Sequence, residues 1–137
     1  MAGVGPYLIF NGHCEEAVKL YCEIFNGEIH YVSKYSEAPM EVPTHWVEKV
    51  LHMSFQVRGV QVLASDSMPG QEVSSGNNVQ LCLNFKKDEH IDDYFQRLAS
   101  GGEVLMELQN TYWGARFGQL KDRFGVSWMF NQILEDI

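Results

Sequence analysis

Gly27-Glu28-Ile29 returns later in the chain as Gly102-Glu103-Val104, and that echo decides the fold. Each residue of the second triplet is its counterpart plus 75, and the same offset carries Leu8 to Leu83, Phe10 to Phe85 and Leu20 to Phe95. Between Phe10 and Gly27 runs one amphipathic helix pattern, and another of the same length runs between Phe85 and Gly102. Later in each half the offset becomes 66, so that Gly59-Val60 answers Gly125-Val126 and Val62 answers Trp128. The first half therefore holds about nine extra residues, most simply placed in the stretch Ser36 to Lys49. Two copies of one unit place any pocket where the copies meet, and they allow equivalent positions to be compared.

The elements follow from local pattern. Pro6 to Phe10 is a short apolar strand ended by the turn pair Asn11-Gly12. From His13 to Phe25 the apolar positions Ala17, Leu20, Tyr21 and Ile24 have helical spacing, and Asn26-Gly27 supplies a left-handed stop. Glu28 to Tyr35 reads as a strand, followed by an irregular loop holding Pro39 and Pro43. Val50 to Val57 alternates, with Leu51, Met53, Phe55 and Val57 on one side and His52, Ser54 and Gln56 on the other. Arg58-Gly59 turns the chain into Val60 to Ser65. The second half repeats the order: a strand at Val79 to Phe85, a helix capped by Asp88 with Ile91, Tyr94, Phe95 and Leu98 on one face, a stop at Gly101-Gly102, then strands at Glu103 to Leu108, Ala115 to Lys121 and Val126 to Asn131. The whole is one domain. Module one spans about residues 4–68, the linker about 69–77 and module two about 78–134.

Bulk composition bounds the function. A chain of 137 residues, 45% hydrophobic, can bury one real core. A net charge of −8 argues against nucleic-acid and anionic-membrane partners, which need a basic surface. Three cysteines with no Cys-x-x-Cys pair imply a reducing compartment without a disulfide framework. Cys14 stands near a helix start, which can activate a thiol, but a buried inert thiol is the commoner outcome. No apolar run reaches a membrane span, and Met1-Ala2-Gly3-Val4 lacks signal-peptide features, so a cytoplasmic location is expected.

Four strands can be phased. One side is apolar throughout: Leu8 and Phe10; Val60, Val62 and Ala64; Leu81, Leu83 and Phe85; Val126, Trp128 and Phe130. The other side is mixed and mostly polar: Gly5, Tyr7 and Ile9; Gln61, Leu63 and Ser65; Gln80, Cys82 and Asn84; Ser127, Met129 and Asn131. A polar sheet face either meets solvent or lines a cavity.

The order and its motifs resemble the vicinal-oxygen-chelate superfamily, which includes glyoxalase I, extradiol dioxygenases and the fosfomycin- and bleomycin-resistance proteins. The PhnB-like branch, often labelled demethylubiquinone-methyltransferase-like, is the part of it that the chain most resembles. Tyr7-Leu8-Ile9-Phe10-Asn11-Gly12, Glu16 to Tyr21, Phe25 to Ile29 and Ala64-Ser65-Asp66 carry the resemblance weakly. The blocks Thr111-Tyr112-Trp113-Gly114-Ala115-Arg116-Phe117-Gly118 and Asp122-Arg123-Phe124-Gly125-Val126-Ser127-Trp128 carry it more specifically, although Arg123 stands where the family usually has proline. The resemblance implies an α+β fold of two βαβββ modules forming a half-barrel cup, the glyoxalase/bleomycin-resistance fold, and a homodimer.

Metal-dependent members take four ligands, each His, Glu or Gln, from the first and last strands of each module. Those positions correspond here to Gly5, Leu63, Gln80 and Met129. Only Gln80 offers an oxygen, and a one-residue slip in register does no better, so no metal and no other cofactor is expected. Methyl transfer finds no glycine-rich turn after a strand either.

The favoured expectation is a metal-independent binder of a small organic molecule. Its cup would be lined by Tyr7, His52, Ser54, Ser65, Gln80, Asn84, Ser127, Met129 and Asn131, with Trp113 and Arg116 at the rim. Trp113 either walls a cleft or packs over a core edge, and Arg116 either binds an anionic group or pairs with a carboxylate. His52 is the best acid-base candidate and Asp66 a weaker one, more simply a strand-end turn residue. His13, His30 and His90 read as surface or helix-end residues. One alternative is a metal-dependent lyase, isomerase or dioxygenase with a non-standard site near His52 and Gln80. Another is a structural or regulatory dimer with no ligand.

Overall fold

The strand registers repeat the sequence offsets. In the computed structural model, which describes residues 3–134, the chain runs β1 (Tyr7–Phe10), α1 (Cys14–Phe25), β2 (Glu28–Lys34), β3 (Val50–Val57), β4 (Val60–Asp66), then β5 (Leu81–Phe85), α2 (Asp92–Ala99), β6 (Glu103–Asn110), β7 (Ala115–Lys121) and β8 (Ser127–Ile133). One sheet has the order β1-β4-β3-β2 and the other β5-β8-β7-β6. In each, the first strand lies parallel to the last, and the remaining pairs are antiparallel. Leu8 stands opposite Ala64, and Leu83 stands opposite Phe130. Adding 75 to the first residue and 66 to the second converts one pair into the other, so the duplication holds at the level of hydrogen-bond register.

The chain divides into two compact units between Ser74 and Ser75. The linker is tied on both sides of that boundary. Asn11 binds Val73 through both its amide groups, at 2.9 and 3.2 Å, and Ser75 Oγ donates to the Gly125 carbonyl at 3.0 Å.

Each helix covers one face of its own sheet. Ala17, Val18, Tyr21, Ile24 and Phe25 of α1 are buried, as are Met53, Phe55, Val62 and Ala64 of the first sheet. In the second unit Phe95 meets Phe130 edge-on at 5.0 Å, and Phe85 lies 5.2 Å from Phe130. These are the apolar sets read from the alternation, and their burial is the main driving force for both units.

Two turns show why particular residues were needed. Arg58 and Gly59 both have positive φ, 51° and 80°, the pattern of the two-residue hairpin turns that match strand twist. At the helix stops the work is shared. Asn26 takes the left-handed conformation after α1, and Gly101 (φ 78°) takes positive φ after α2. The glycine that follows each is required by close approach instead. A Cβ on Gly27 would sit 2.5 Å from the Gln56 carbonyl oxygen, and one on Gly102 would meet the Lys121 carbonyl. The echo that decides the fold therefore marks where, in each unit, the chain passes against the end of an inner strand on its way from the helix to the edge strand.

Some boundaries differ from expectation. Asp88 does not cap α2, which begins at Asp92 with no side-chain cap. The residues before it instead form a turn in which Glu89 Oε2 accepts the Lys86 N–H at 2.7 Å. Tyr35 leaves the strand for a short 3₁₀ turn because its hydroxyl is buried against the Asp66 and Ser67 carbonyls, at 3.0 and 3.1 Å. The loop with the extra residues returns to the same place, where Trp46 Nε1 donates to the Ser67 carbonyl at 3.1 Å.

Candidate functional site

On the first sheet, the face turned away from α1 carries two cross-strand rows. The pairings Tyr7–Leu63, Leu63–Ser54 and Ser54–Tyr31 make one row across all four strands. Ile9 opposite Ser65 and Ser33 opposite His52 make the next. Because side chains alternate strictly along a strand, all of these project to the same side. His52 is the centre. Its Nδ1 lies 3.3 Å from the Tyr7 hydroxyl, and its ring centroid lies 5.8 Å from Tyr7 and 6.3 Å from Tyr31. Tyr7, Ile9 and Tyr31 remain 46%, 51% and 55% exposed, a large apolar and aromatic area for a sheet face in contact with water. A cleft of about 780 Å³ opens beside Tyr7, walled by Val4, Pro6, Val60, Gln61 and Leu63.

On the second sheet, the face away from α2 carries Asn84, Asn131 and Met129. Asn131 Nδ2 donates to Asn84 Oδ1 at 3.1 Å across the β5–β8 pair, and Met129 stands opposite Cys82. Ser127 is buried at the start of β8. Gln80 lies just before β5 with its Oε1 shielded and unpaired among the described residues. Register adds Phe117 and Gln119, opposite Asn131 and Met129, to this face. Trp113 sits at the β6–β7 turn, where Thr111 Oγ1 accepts the Ala115 N–H at 3.2 Å and Gly114 takes φ 84°. That turn presents Tyr112, 97% exposed, and Trp113, 55% exposed, edge-to-face at 5.1 Å.

Arg116 corrects the sequence-based placement. It stands opposite Gln132, on the helix side of the sheet, and its guanidinium holds the Asp92 carboxylate through Nε and Nη2 at 3.2 and 3.0 Å. Nη1 donates to Asn110 Oδ1 at 3.1 Å. Of the two readings open for this residue, pairing with a carboxylate is the one the geometry takes. Gly118 carries the signal that could have phased the strand. A Cβ there would lie 2.9 Å from Phe95 of the helix, so Gly118 faces α2, and Arg116, two residues earlier, faces the same way.

Asp66 takes the structural role. It is 2% exposed, and its two oxygens accept the Cys14 and Val50 N–H groups, each at 2.9 Å. Cys14 is buried beneath it; burial and the nearby Asp66 carboxylate push its thiol far up, so it stays protonated. Asp122 anchors the most distinctive sequence block in a similar way. Oδ1 accepts the Phe124 and Val126 N–H groups, and Oδ2 accepts Trp128 Nε1 at 2.8 Å. His13 and His30 lie on the surface 3.8 Å from Glu16 and Glu28.

The four positions matching the family's metal ligands are a glycine, a leucine, an amide and a thioether: Gly5, Leu63, Gln80 and Met129. A hard or borderline divalent cation needs several oxygen or nitrogen donors at once, and this set does not fit one. Among the described residues no three His, Cys, Asp or Glu side chains stand together as an alternative.

Comparison with known proteins agrees with this architecture. A family model described as 3-demethylubiquinone-9 3-methyltransferase matches residues 2–133. Protein PA1353 from Pseudomonas aeruginosa is 34% identical, with 96% of this chain and 98% of that one covered and a TM-score of 0.84. A PhnB protein from Bacillus cereus is 29% identical over 96% and 99% of the two chains, with a TM-score of 0.82. The fosfomycin resistance protein FosX from Listeria monocytogenes, solved with Mn(II) and sulfate, is 16% identical over 96% and 93% of the chains, with a TM-score of 0.63, a likeness of fold alone. The duplicated βαβββ order, the shared registers and these matches together establish that the chain is a glyoxalase-fold protein of the PhnB-like, 3-demethylubiquinone-9 3-methyltransferase family.

Proposed function

We propose that this protein binds a small organic molecule on the sheet faces turned away from its helices, without the four-ligand metal site. One observation carries the reading. The centre of the first such face presents Tyr7, Ile9, Tyr31, His52, Ser54 and Ser65, none of them an ionised carboxylate, guanidinium or ammonium, in a chain that is 20% charged. Solvated sheet faces normally carry charged side chains, and an exposed aromatic patch of this kind more often marks a recognition surface. The second sheet's own helix-free face, with the Asn84–Asn131 pair and Met129, is likewise uncharged at these positions.

The reading includes a homodimer in the cytoplasm. Its support is the edge strand β6, exposed along nearly its whole length with Val104, Leu105 and Met106 uncovered, which a partner would protect. No helix among the described residues is long and apolar enough to cross a membrane.

The test is a thermal-shift screen of uncharged, anionic and cationic organic compounds, run beside elemental analysis of protein purified without tag or chelator. The expected result is stabilisation by some organic compounds and metal well below stoichiometric after incubation with Zn²⁺, Mn²⁺, Ni²⁺ or Fe²⁺. Near-stoichiometric metal that is lost in His52→Ala would overturn the reading in favour of a metal-dependent enzyme. A screen with no stabilising compound would favour a structural dimer.

A further inference from the structure

We infer that the cleft at the start of α2 binds a primary ammonium group carried by a small organic molecule. This place is on the helix side of the second sheet, so the inference stands apart from the sheet-face site proposed above. The cleft holds about 400 Å³, and its lining includes Glu89, His90, Asp92, Asp93, Arg116 and Gln132 but no lysine. The duplication shows what the corresponding place holds in the first unit. There the chain supplies two ammonium groups of its own. Lys34 Nζ reaches Glu15 Oε1 at 2.8 Å and the Glu48 carbonyl at 3.1 Å. Lys49 Nζ donates to the Gly12 carbonyl at 3.0 Å and lies 5.8 Å from the centre of a Trp46 ring. The second unit lacks both. Lys34 stands opposite Val50, and its counterpart by register is Asn110, opposite Arg116. The offset of 66 converts Lys49 into Ala115, which is buried. The loop that carries Trp46 and Lys49 is the one with the extra residues, and the connection in its place runs only from Thr111 to Gly114.

The groups that would receive an ammonium remain. Three carboxylates in the lining face one guanidinium, and Arg116 commits its Nε and Nη2 to Asp92. The Asp93 carboxylate has no hydrogen bond or ion pair to another described residue. Gln132 is only 3% exposed and spends its Nε2 on the Lys86 and Glu89 carbonyls. Its Oε1 accepts from no described residue and is not fully shielded, so a nearly buried side chain offers the cleft an acceptor. An ammonium carries three donors and no acceptor, which suits an amide oxygen and two carboxylates. A quaternary ammonium has no N–H to give them. A metal ion is disfavoured because no three of the acidic or histidine side chains stand together among the described residues. The positive end of a helix by itself repels a cation, so the carboxylates and not the helix carry the site. Lys34 beside Glu15 in the first turn of α1 shows that an ammonium can be seated there.

The probe is n-butylamine, set against tetramethylammonium as a charge without donors and n-butanol as the same chain without charge. Proton–nitrogen spectra of the full-length protein follow each titration at low ionic strength, with the Gln132 side-chain amide and the Arg116 Nε–H as reporters. The expected result is that butylamine alone gives saturable shifts, centred on Gln132, Asp93 and Arg116. Its Kd should rise about three- to fivefold in Asp93→Asn, the size of one exposed ion pair. It should keep the wild-type value in Asp88→Asn, which removes an exposed carboxylate from the preceding turn outside the lining. Equal response to tetramethylammonium or butanol overturns the inference, as does an unchanged Kd in Asp93→Asn or the absence of saturation. Shifts confined to the faces around His52 or Asn84 overturn it too, while leaving the proposed function intact. The wild-type shift map decides the matter even where a variant loosens α2.

Discussion

Replacing Asp66 by alanine should destabilise the first unit by about 2–5 kcal/mol. The figure follows from what the carboxylate holds. Its two oxygens each accept a backbone N–H at 2.9 Å, from Cys14 at the start of α1 and from Val50 at the start of β3. α1 has no side-chain cap of its own, so Asp66 acts as its cap from across the chain. Orphaning one buried donor costs about 1–3 kcal/mol, and here there are two. Relief of the cost of burying the carboxylate itself keeps the total below the simple sum. Asp66→Asn retains one acceptor and turns an NH₂ toward the other N–H, so it should lose roughly half as much. The assay is urea unfolding, with amide hydrogen exchange at Cys14 and Val50. With m near 1.5 kcal/mol/M, a loss of about 3 kcal/mol moves the midpoint by about 2 M at unchanged m. The pseudo-equivalent residue supplies the control. Gln132 occupies the position opposite Phe85 that Asp66 occupies opposite Phe10, and its Nε2 donates to the Lys86 and Glu89 carbonyls at 2.8 and 2.7 Å. Gln132→Ala orphans only carbonyls, which tolerate it better, so it should cost about 1–2 kcal/mol. An Asp66→Ala midpoint within about 0.3 M of wild type, with both amides still protected, would refute the reasoning.

Three further outcomes are expected. Alkylation of the native protein should modify exposed Cys82 first, half-buried Cys22 more slowly and buried Cys14 only on unfolding, read by peptide mass spectrometry; early labelling of Cys14 would contradict its burial and raised thiol pKa. Gly27→Ala and Gly102→Ala should each cost about 1–3 kcal/mol, because the new methyl meets backbone carbonyls that cannot yield. Gly59→Ala, where an added Cβ meets nothing within 4 Å, should cost only the strain of its positive φ, about 1 kcal/mol; equal losses at all three would show that crowding is not the cause. Glu15 is held below its ordinary value of 4.5, first by the hydrogen bond from Lys34 Nζ at 2.8 Å. Its folded pKa is depressed, so the stabilisation is present above about pH 4.5 and fades as pH falls through the folded value. Glu15→Gln should therefore lose up to about 1 kcal/mol at pH 7, with the two stability curves converging in acid; a constant gap at all pH values would deny the linkage.

What could be read from the chain, and what could not, separates along a physical line. The duplication, the element order and the apolar faces of four strands were legible because register and alternation are rigid: Phe10 and Phe85 mark strand ends, and everything on those strands follows in steps of two. Tyr31 escaped notice because the register shifts between Ile29 and Tyr31, which breaks the alternation of β2 at the point where phasing was needed. Arg116 was misplaced because its strand was left unphased. Asp66 and Gln132 share a position and a task, holding the segment that leads into a helix, but one accepts backbone N–H groups and the other donates to carbonyls. Residue similarity hides that equivalence, and only the offset of 66 exposes it.

The distribution of distinctive motifs follows from the same cause. The block Asp122 to Trp128 is the most recognisable in the sequence, and its geometry is that of turn machinery: a carboxylate satisfying two N–H groups and an indole, and Gly125 at φ 91°. Few residue types can meet such backbone demands, so these positions stand out. A ligand-binding face makes no comparable demand on the backbone. Tyr7, Tyr31 and His52 occupy ordinary alternating strand positions and become a cluster only when four strands bring them side by side. In this fold the sites easiest to see in a sequence are therefore those that shape the scaffold. The residues that would choose a ligand lie between them, on the sheet faces where substitution is cheapest, so members of one family can keep the turns and change what they bind.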